Sequence, residues 1–255
     1  FLVAGGQGSR LGYDGPKGKF PVAPVSNKTL FQIHAEKIKK YSDKYATTIP
    51  WLIMTSQANH EETVSYLEEN SFFGLNKDAV KIFPQNMIPS LDTNGNLILE
   101  SKHSIFKNPD GHGGSLTALY TSGSLEYLKN NGIELISYFQ VDNPLVKIVD
   151  PVFIGFHIQN NMLISSKAVK KAYAEEKVGV FVKYSNNKIG VMEYSDLSDE
   201  QIQATDDKGE ILFSSGSIAI HLFSTSFIEE ITSGTDISLP FHTAKKKIKS
   251  FTKDG

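Results

Sequence analysis

Along residues 1–150, short apolar runs alternate with longer stretches of helical period. Phe1–Ala4 is an apolar tetrapeptide closed by glycine, the mark of a buried parallel strand. Ser26–Tyr41 predicts a loop and then an amphipathic helix, with Leu30, Phe31, Ile33, Ala35 and Ile38 as its apolar stripe. Trp51–Met54 predicts a second strand. His60–Asn70 predicts a helix entered by Glu61 and Glu62, acids that suit the positive end of a helix dipole. Val80–Phe83 predicts a third strand, ended by Pro84. Leu91–Leu99 predicts a hairpin, on the tight-turn pair Asn94-Gly95. Gly113–Asn130 reads as helix, and Leu135–Val141 as a fourth strand closed by Asp142-Asn143-Pro144.

This alternation predicts a mostly parallel sheet with helices on both faces. The pattern then changes. VGVFVKYSNNKIGVMEYS predicts two strands about a polar turn, and EILFSSGSIAIHLFS a strand pair or one bent strand. That half reads as an antiparallel or mixed extension of the sheet, shaping one side of a cleft. No linker rich in Gly, Ser or Pro divides the halves, so residues 1–255 are expected to form a single α/β domain. The chain begins at Phe1 inside a strand and ends in AKKKIKSFTKDG without a closing element. Segments beyond both ends are therefore expected.

Composition narrows the chemistry. Lys and Arg number 26 against 28 Asp and Glu, a net charge of −2 that lacks the basic excess of a general nucleic-acid binder. The absence of cysteine excludes disulfide scaffolds, thiol catalysis and Cys-ligated zinc, and it fits a cytoplasmic location. No apolar run reaches the roughly 18–20 residues of a membrane span, and no signal peptide is visible. The seven histidines show neither H-x-x-x-H nor H-E-x-x-H spacing, against a zinc hydrolase.

The glycine-rich stretch AGGQGSRLGYDGPKGKF joins bare backbone to positive charge, which points to a phosphate compound. A Walker A loop fails, because Gly18-Lys19 is followed by Phe20 and position 13 is Tyr. A dinucleotide fingerprint fails at Leu11, where the third glycine belongs, and no second strand ending in an acid follows. What fits is G-G-x-G-[ST]-R-L followed by P-K: Gly5-Gly6-Gln7-Gly8-Ser9-Arg10-Leu11, then Pro16-Lys17. Arg10 offers a planar fork for phosphate oxygens and Lys17 a compact charge. Asp142 follows a strand and stands where strand ends meet a cleft, a place for a Mg²⁺ ligand or for a turn-capping acid.

With WLIMTS, FFGL at Phe72–Leu75, IFPQ at Ile82–Gln85, NPDGHGG at Asn108–Gly114, VDNPLVKIVDP, VGV, EYS and PFHTAKKKI in order, the chain resembles the type 1 UDP-sugar pyrophosphorylase family over nearly its whole length. Among its members the UDP-N-acetylhexosamine pyrophosphorylases and their bacterial relatives are the most similar. The resemblance implies a Rossmann-like, glycosyltransferase-A-like nucleotidyltransferase fold, with a nucleotide-binding half (1–150) and a sugar-binding half (151–255). It implies UTP and a sugar 1-phosphate as substrates, a UDP-sugar and pyrophosphate as products, and Mg²⁺ as cofactor.

Residue by residue, the resemblance assigns uridine to the backbone of Gly5, Gly6, Gln7 and Gly8, with Gln85 and Gly113 on the base edge. Arg10 and Lys17 are expected on the triphosphate, Asp142 on the metal, and Lys246 on the incoming phosphate, with Lys245 and Lys247 as rivals. His112, Asn143, Gly179, Glu193 and Ser217 are expected around the sugar. His221 is a candidate by its strand position only. The chain departs from the N-acetylhexosamine pattern at His112 and Ser217, where Asn is usual, while Asp110 and Gly114 keep the PDG-x-GG frame. N-acetylglucosamine 1-phosphate is the expected sugar, with glucose 1-phosphate or broad specificity as the alternative. A glycosyltransferase of similar fold is the first rival, although VDNPL lacks an Asp-x-Asp motif. A non-catalytic nucleotide-sugar sensor is the second.

Overall fold

A computed structural model describes residues 1–233 and residue 251. In chain order the elements are β1 (Leu2–Val3), α1 (Leu30–Tyr45), β2 (Trp51–Thr55), α2 (His60–Glu69), β3 (Val80–Pro84), β4 (Met87–Pro89), β5 (Leu99–Ser101), β6 (Ser104–Ile105) and β7 (Lys107–Pro109). There follow α3 (Gly114–Thr121), α4 (Ser124–Asn130), β8 (Leu135–Gln140), α5 (Pro151–Gln159), β9 (Ile164–Lys170), β10 (Val180–Lys183), β11 (Ile189–Met192), α6 (Asp199–Gln203), β12 (Ser215–Ser224) and α7 (Thr225–Ser233).

The main sheet runs β11-β10-β12-β8-β1-β2-β3, with β9 also paired to β12. β8, β1, β2 and β3 are mutually parallel, whereas β12 runs antiparallel to β8 and carries the antiparallel β9 and β10. The predicted change from a parallel to an antiparallel half thus falls between β8 and β12. Two apolar clusters cover the faces of the parallel part. Phe31, Ala35 and Ile38 of α1 pack with Leu2, Ile53 and Phe139 on one side. Leu119, Leu125 and Leu128 pack with Phe1, Met54, Phe83 and Tyr138 on the other. The alternation of these residues along each strand is what fixes which face each strand presents.

Several boundaries differ from the sequence expectation. The stretch Gly113–Asn130 is two helices, α3 and α4, broken where Gly123 adopts φ +72°. Asn94-Gly95 does form a tight turn, held by Asp92 Oδ1 accepting from the Asn94 and Asn96 amides, both at 2.8 Å. The flanking strands reduce to one bridge, Leu91 with Leu97. The late apolar stretch is one bent strand, β12, whose register with β9 shifts between Ser217 and Ile220. The helices α5, α6 and α7 and the strands β4, β6, β7 and β9 were not foreseen.

Two side chains on α1, the buried His34 and the partly buried Lys37, fasten the chain that leaves β8. His34 Nε2 donates to the Val141 carbonyl at 3.0 Å, and Lys37 Nζ bonds the carbonyls of Pro144 and Val146. The opposite ring atom, His34 Nδ1, is buried without a partner among the described residues, which identifies the neutral Nε2–H form. Burial lowers His34 from 6.5 to about 4, and the bond to Val141 only partly opposes this.

The unfolded chain binds a proton at His34 near 6.5, the folded chain near 4. Its contribution to stability is complete above pH 6.5 and is lost as the pH falls from 6.5 through 4, a loss of roughly 3 kcal/mol. Denaturant titrations between pH 7 and 4.5 should show this loss. His34→Gln, which keeps an N–H for Val141 but cannot titrate, should flatten the slope by up to about 1.4 kcal/mol per pH unit. An unchanged slope would show that His34 is not the buried neutral group.

Candidate functional site

The parallel strands open onto one mouth. β1 lies between β8 and β2 with Val3 opposite Gln140 and Met54. The segments after them, Gly5 onward, Asp142 onward and Ser56 onward, therefore emerge side by side. In doubly wound sheets such a set of carboxyl ends is where ligands bind.

The glycine stretch is a folded loop. Gln7 bridges Pro16, Gly8 N donates to Gly15 O at 2.9 Å, and Lys17 N donates to Gly6 O at 3.0 Å. Asn59, buried at the start of α2, ties this loop to the neighbouring strand end. Its Nδ2 donates to the carbonyls of Ala4 (3.0 Å) and Gly6 (3.4 Å), and its Oδ1 accepts from Ser56 N at 2.8 Å. Gly18 is required for a different reason: a Cβ there would lie 2.2 Å from the buried ring of Phe31. The P-K-G turn thus sits directly on α1. Gly6, Gln7 and Arg10 are exposed, and Arg10 has no ion-pair partner among the described residues.

Lys17 Nζ meets Asp142 Oδ2 at 2.8 Å, joining the glycine loop to the end of β8. Beside Asp142, Asn143 spends its Oδ1 on the Leu145 amide at 3.2 Å, holding the turn. No group of three or more His, Cys, Asp or Glu side chains is placed to hold a metal among the described residues. Asp142 is nonetheless a partly exposed carboxylate at the mouth, which suits Mg²⁺ in its phosphate-rich mode, where one or two carboxylates complete a shell of phosphate and water oxygens.

On the far side of β2, Gln85 donates its amide hydrogens to Asp110 Oδ1 (2.9 Å) and Gly111 O (2.7 Å). With both hydrogens committed, Oε1 is the end left to accept. The glycine against Gln85 is Gly111, whereas Gly113 stands at the N-cap of α3. The PDG-x-GG frame has a steric basis, since a Cβ on Gly114 would fall 1.9 Å from the Asp110 carboxyl carbon. Desolvation raises Asp110 above the usual carboxylate value, opposed by the bond from Gln85.

His112 lies between the two halves of the site. Its Nδ1 is 2.7 Å from Tyr138 Oη and its Nε2 is 3.0 Å from Gln140 Nε2. Desolvation lowers His112, while the charges of Glu193 and Asp142 act to raise it. His221, across the strand pair from Tyr138, bonds Ser166 Oγ at 2.7 Å and is lowered to about 4 by burial, with His112 adding repulsion. Both rings are neutral near pH 7 and are poor candidates for phosphate-binding cations.

The antiparallel extension brings Gly179, Glu193 and Ser217 together. Ser217 N donates to Gly179 O at 2.7 Å, and a Cβ on Gly179 would lie 3.4 Å from Glu193 Oε1. The bend in β12 that follows Ser217 places Ala219 at φ +51°, a strained value for a residue with a side chain. Lys245, Lys246 and Lys247 lie outside the described residues. Tyr138, Gln140, Asn59, His34 and Lys37 were not singled out from sequence. Only Tyr138 and Gln140 left a signal there, their alternation with Asp142.

An apolar cavity of about 330 Å³ opens at the other end of the strands, between Phe1, Ile38, Trp51, Leu128, Ile136 and Leu222. Its lining carries no basic side chain for a phosphate. No helix among the described residues is long and apolar enough to cross a membrane.

The same arrangement of chain is found in known proteins. UDP-N-acetylglucosamine diphosphorylase 2 of Arabidopsis thaliana is 36% identical over 99% of this chain and 53% of its own length. UDP-N-acetylglucosamine pyrophosphorylase of Saccharomyces cerevisiae is 37% identical over 98% of this chain and 53% of its own length. The crystal structure of the Trypanosoma brucei UDP-N-acetylglucosamine pyrophosphorylase in complex with an inhibitor superposes with a TM-score of 0.82 at 34% identity, over 91% of this chain and 48% of that one. The chain spans about half the length of the curated relatives it matches. A family model described as UTP–glucose-1-phosphate uridylyltransferase matches residues 1–253, and the chain belongs to that family.

Proposed function

We propose that this chain carries the catalytic core of a uridylyltransferase that joins UTP and a sugar 1-phosphate, N-acetylglucosamine 1-phosphate foremost, to give a UDP-sugar and pyrophosphate. The observation that carries this reading is the 2.8 Å pair between Lys17 and Asp142. It sets a cation, a carboxylate and an exposed glycine backbone at one strand-end mouth, the combination a metal-bound triphosphate requires.

In this reading the backbone of Gly5, Gly6, Gln7 and Gly8 lies against the uridine, and Gln85 Oε1 accepts the uracil N3–H. Arg10 and Lys17 hold the triphosphate and the leaving pyrophosphate. Asp142 is the protein ligand of Mg²⁺, which when bound neutralises charge on the phosphates. Asn143, Gly179, Glu193 and Ser217 surround the sugar, and Lys246, or its neighbour Lys245 or Lys247, steers the incoming phosphate. A sugar-phosphate oxygen attacks the α-phosphorus. The bond from that phosphorus to the oxygen bridging to the β-phosphate breaks, and pyrophosphate departs with the electron pair. A phosphate monoester is already largely dianionic near pH 7, so no general base is needed. The neutral state of His112 and His221 accords with this. The work of the chain is positioning and charge stabilisation, and a cytoplasmic location fits its lack of cysteine.

Pyrophosphate release from UTP should be measured with the 1-phosphates of glucose, galactose, N-acetylglucosamine and N-acetylgalactosamine. N-acetylglucosamine 1-phosphate should be used best, and a clear preference for glucose 1-phosphate would overturn that choice but keep the reaction. Lys17→Ala and Asp142→Ala should each lower kcat by at least about tenfold with the thermal midpoint nearly unchanged. Two variants as fast as the parent would sink the assignment. Binding of UDP-sugars without pyrophosphate exchange would instead favour a sensor.

Chelation with EDTA should abolish turnover, and Mg²⁺ should restore it. Asp142→Ala should need a markedly higher Mg²⁺ concentration for half its maximal rate. Turnover that is indifferent to chelation would remove the metal from the scheme.

A further inference from the structure

His112 occupies the position from which the sequence expects sugar contact, yet both of its ring nitrogens are engaged within the protein. An amide nitrogen can only donate, so His112 Nε2 accepts from Gln140 and Nδ1–H donates to Tyr138 Oη. Tyr138 cannot swing aside. It is 3% exposed, and its ring meets Phe1, His221 and Phe223 at centroid distances of 5.5, 5.5 and 5.7 Å. The imidazole is therefore held from below by a buried phenol and presents no free nitrogen to a ligand.

Gln140 is differently placed. It is partly exposed at the end of β8, two residues before Asp142 and on the strand face that Tyr138 shares. One amide hydrogen is committed to His112. The other hydrogen and the carbonyl oxygen have no partner among the described residues. An acylamino substituent on a sugar carries a C=O, which the free amide hydrogen of Gln140 can meet as a donor.

We propose that Gln140 reads the sugar half of the substrate by donating its free amide hydrogen to the acylamino carbonyl, and that His112 is a positioning residue that aims it. This rests on the uridylyltransferase reading above. It also accounts for the departure at position 112: the side chain that would make an amide contact from there is replaced by a ring that holds an amide supplied by β8.

The test is a calorimetric titration of the complete protein with UDP-N-acetylglucosamine and UDP-glucose, which needs no turnover. Gln140→Ala should shrink the ratio of the two affinities about tenfold, the loss of one ordinary hydrogen bond. Gln140→Glu, equal in size but unable to donate, should shrink it as well and serves if the alanine variant does not fold. His112→Phe, which keeps a ring against Tyr138, should reduce the ratio, and adding it to Gln140→Ala should reduce it no further, as expected of two residues acting as one unit. A ratio that is unchanged in both Gln140 variants overturns the proposal. So does an additive loss at His112, which would make it an independent contact. Parent protein that binds both UDP-sugars yet releases no pyrophosphate overturns the reaction and leaves the affinity ratio to decide on Gln140. Parent protein that binds neither overturns both.

Discussion

The arrangement depends on the backbone pairing of β1, the shortest strand of the main sheet's parallel half and a central one. Phe139 N donates to Phe1 O at 3.1 Å, Val141 N to Val3 O at 3.0 Å, and Ala4 N to Met54 O at 2.7 Å. Parallel pairing is directional, so three consecutive strands must release their chains at the same end. The register is fixed because Leu2 belongs to one apolar cluster and Phe1 to the other. A slip by one residue would exchange the faces and expose both clusters to mismatch. With that register set, the glycine loop, the Ser56–Asn59 turn and Asp142 have no freedom to lie apart.

The parallel strands and the glycine loop were legible in the sequence because each leaves a local mark: an apolar run, a glycine, a proline. Asp142 was legible because it ends such a run. The side chains that hold these pieces were not, since their partners are remote. His34 and the Val141 carbonyl are 107 residues apart, and Asn59 and the Ala4 carbonyl 55. No periodicity within α1 or α2 marks a residue for a bond to a backbone carbonyl that far away. β9 was missed because ISSKAVK is an intermediate-to-exposed strand with no apolar run. Tyr138 and Gln140 were legible in principle, because residues 138, 140 and 142 share one side at the strand period. The dense apolar content of LISYFQV hid that alternation.

The three residues proposed to surround the sugar are the opposite case. Gly179, Glu193 and Ser217 stand on three separate segments, and only the antiparallel pairing of β10 with β11 and β12 brings them together. The order of VGV, EYS and Ser217 lies in the sequence, but the geometry does not. It arises from the bend after Ser217, where one strand changes its register against β9 and accepts a positive φ at Ala219. A straight β12 would carry His221 and Ser217 in one unbroken register with β9. The bend instead separates a buried-side group, His221 on Ser166, from the Ser217 amide that binds Gly179.

The Lys17–Asp142 pair is hard to explain as a stabilising device. Its side chains are 21% and 44% exposed, and pairs of that kind contribute about 0–1 kcal/mol. β1 and β8 are already joined by backbone bonds and two apolar clusters, so little stability depends on it. What the pair does is hold a cation and a carboxylate within one hydrogen-bond length of each other at the mouth. On the proposed reading, a metal-bound triphosphate gives each partner a better one: phosphate oxygens for Lys17 and a divalent cation for Asp142. The ion pair then acts as a placeholder, keeping both groups ordered until the ligand replaces it. The bonds from His34 and Lys37 restrict the Asp142 segment for the same reason. They fix the backbone on either side of the carboxylate, and so leave its side chain as the part free to change partners.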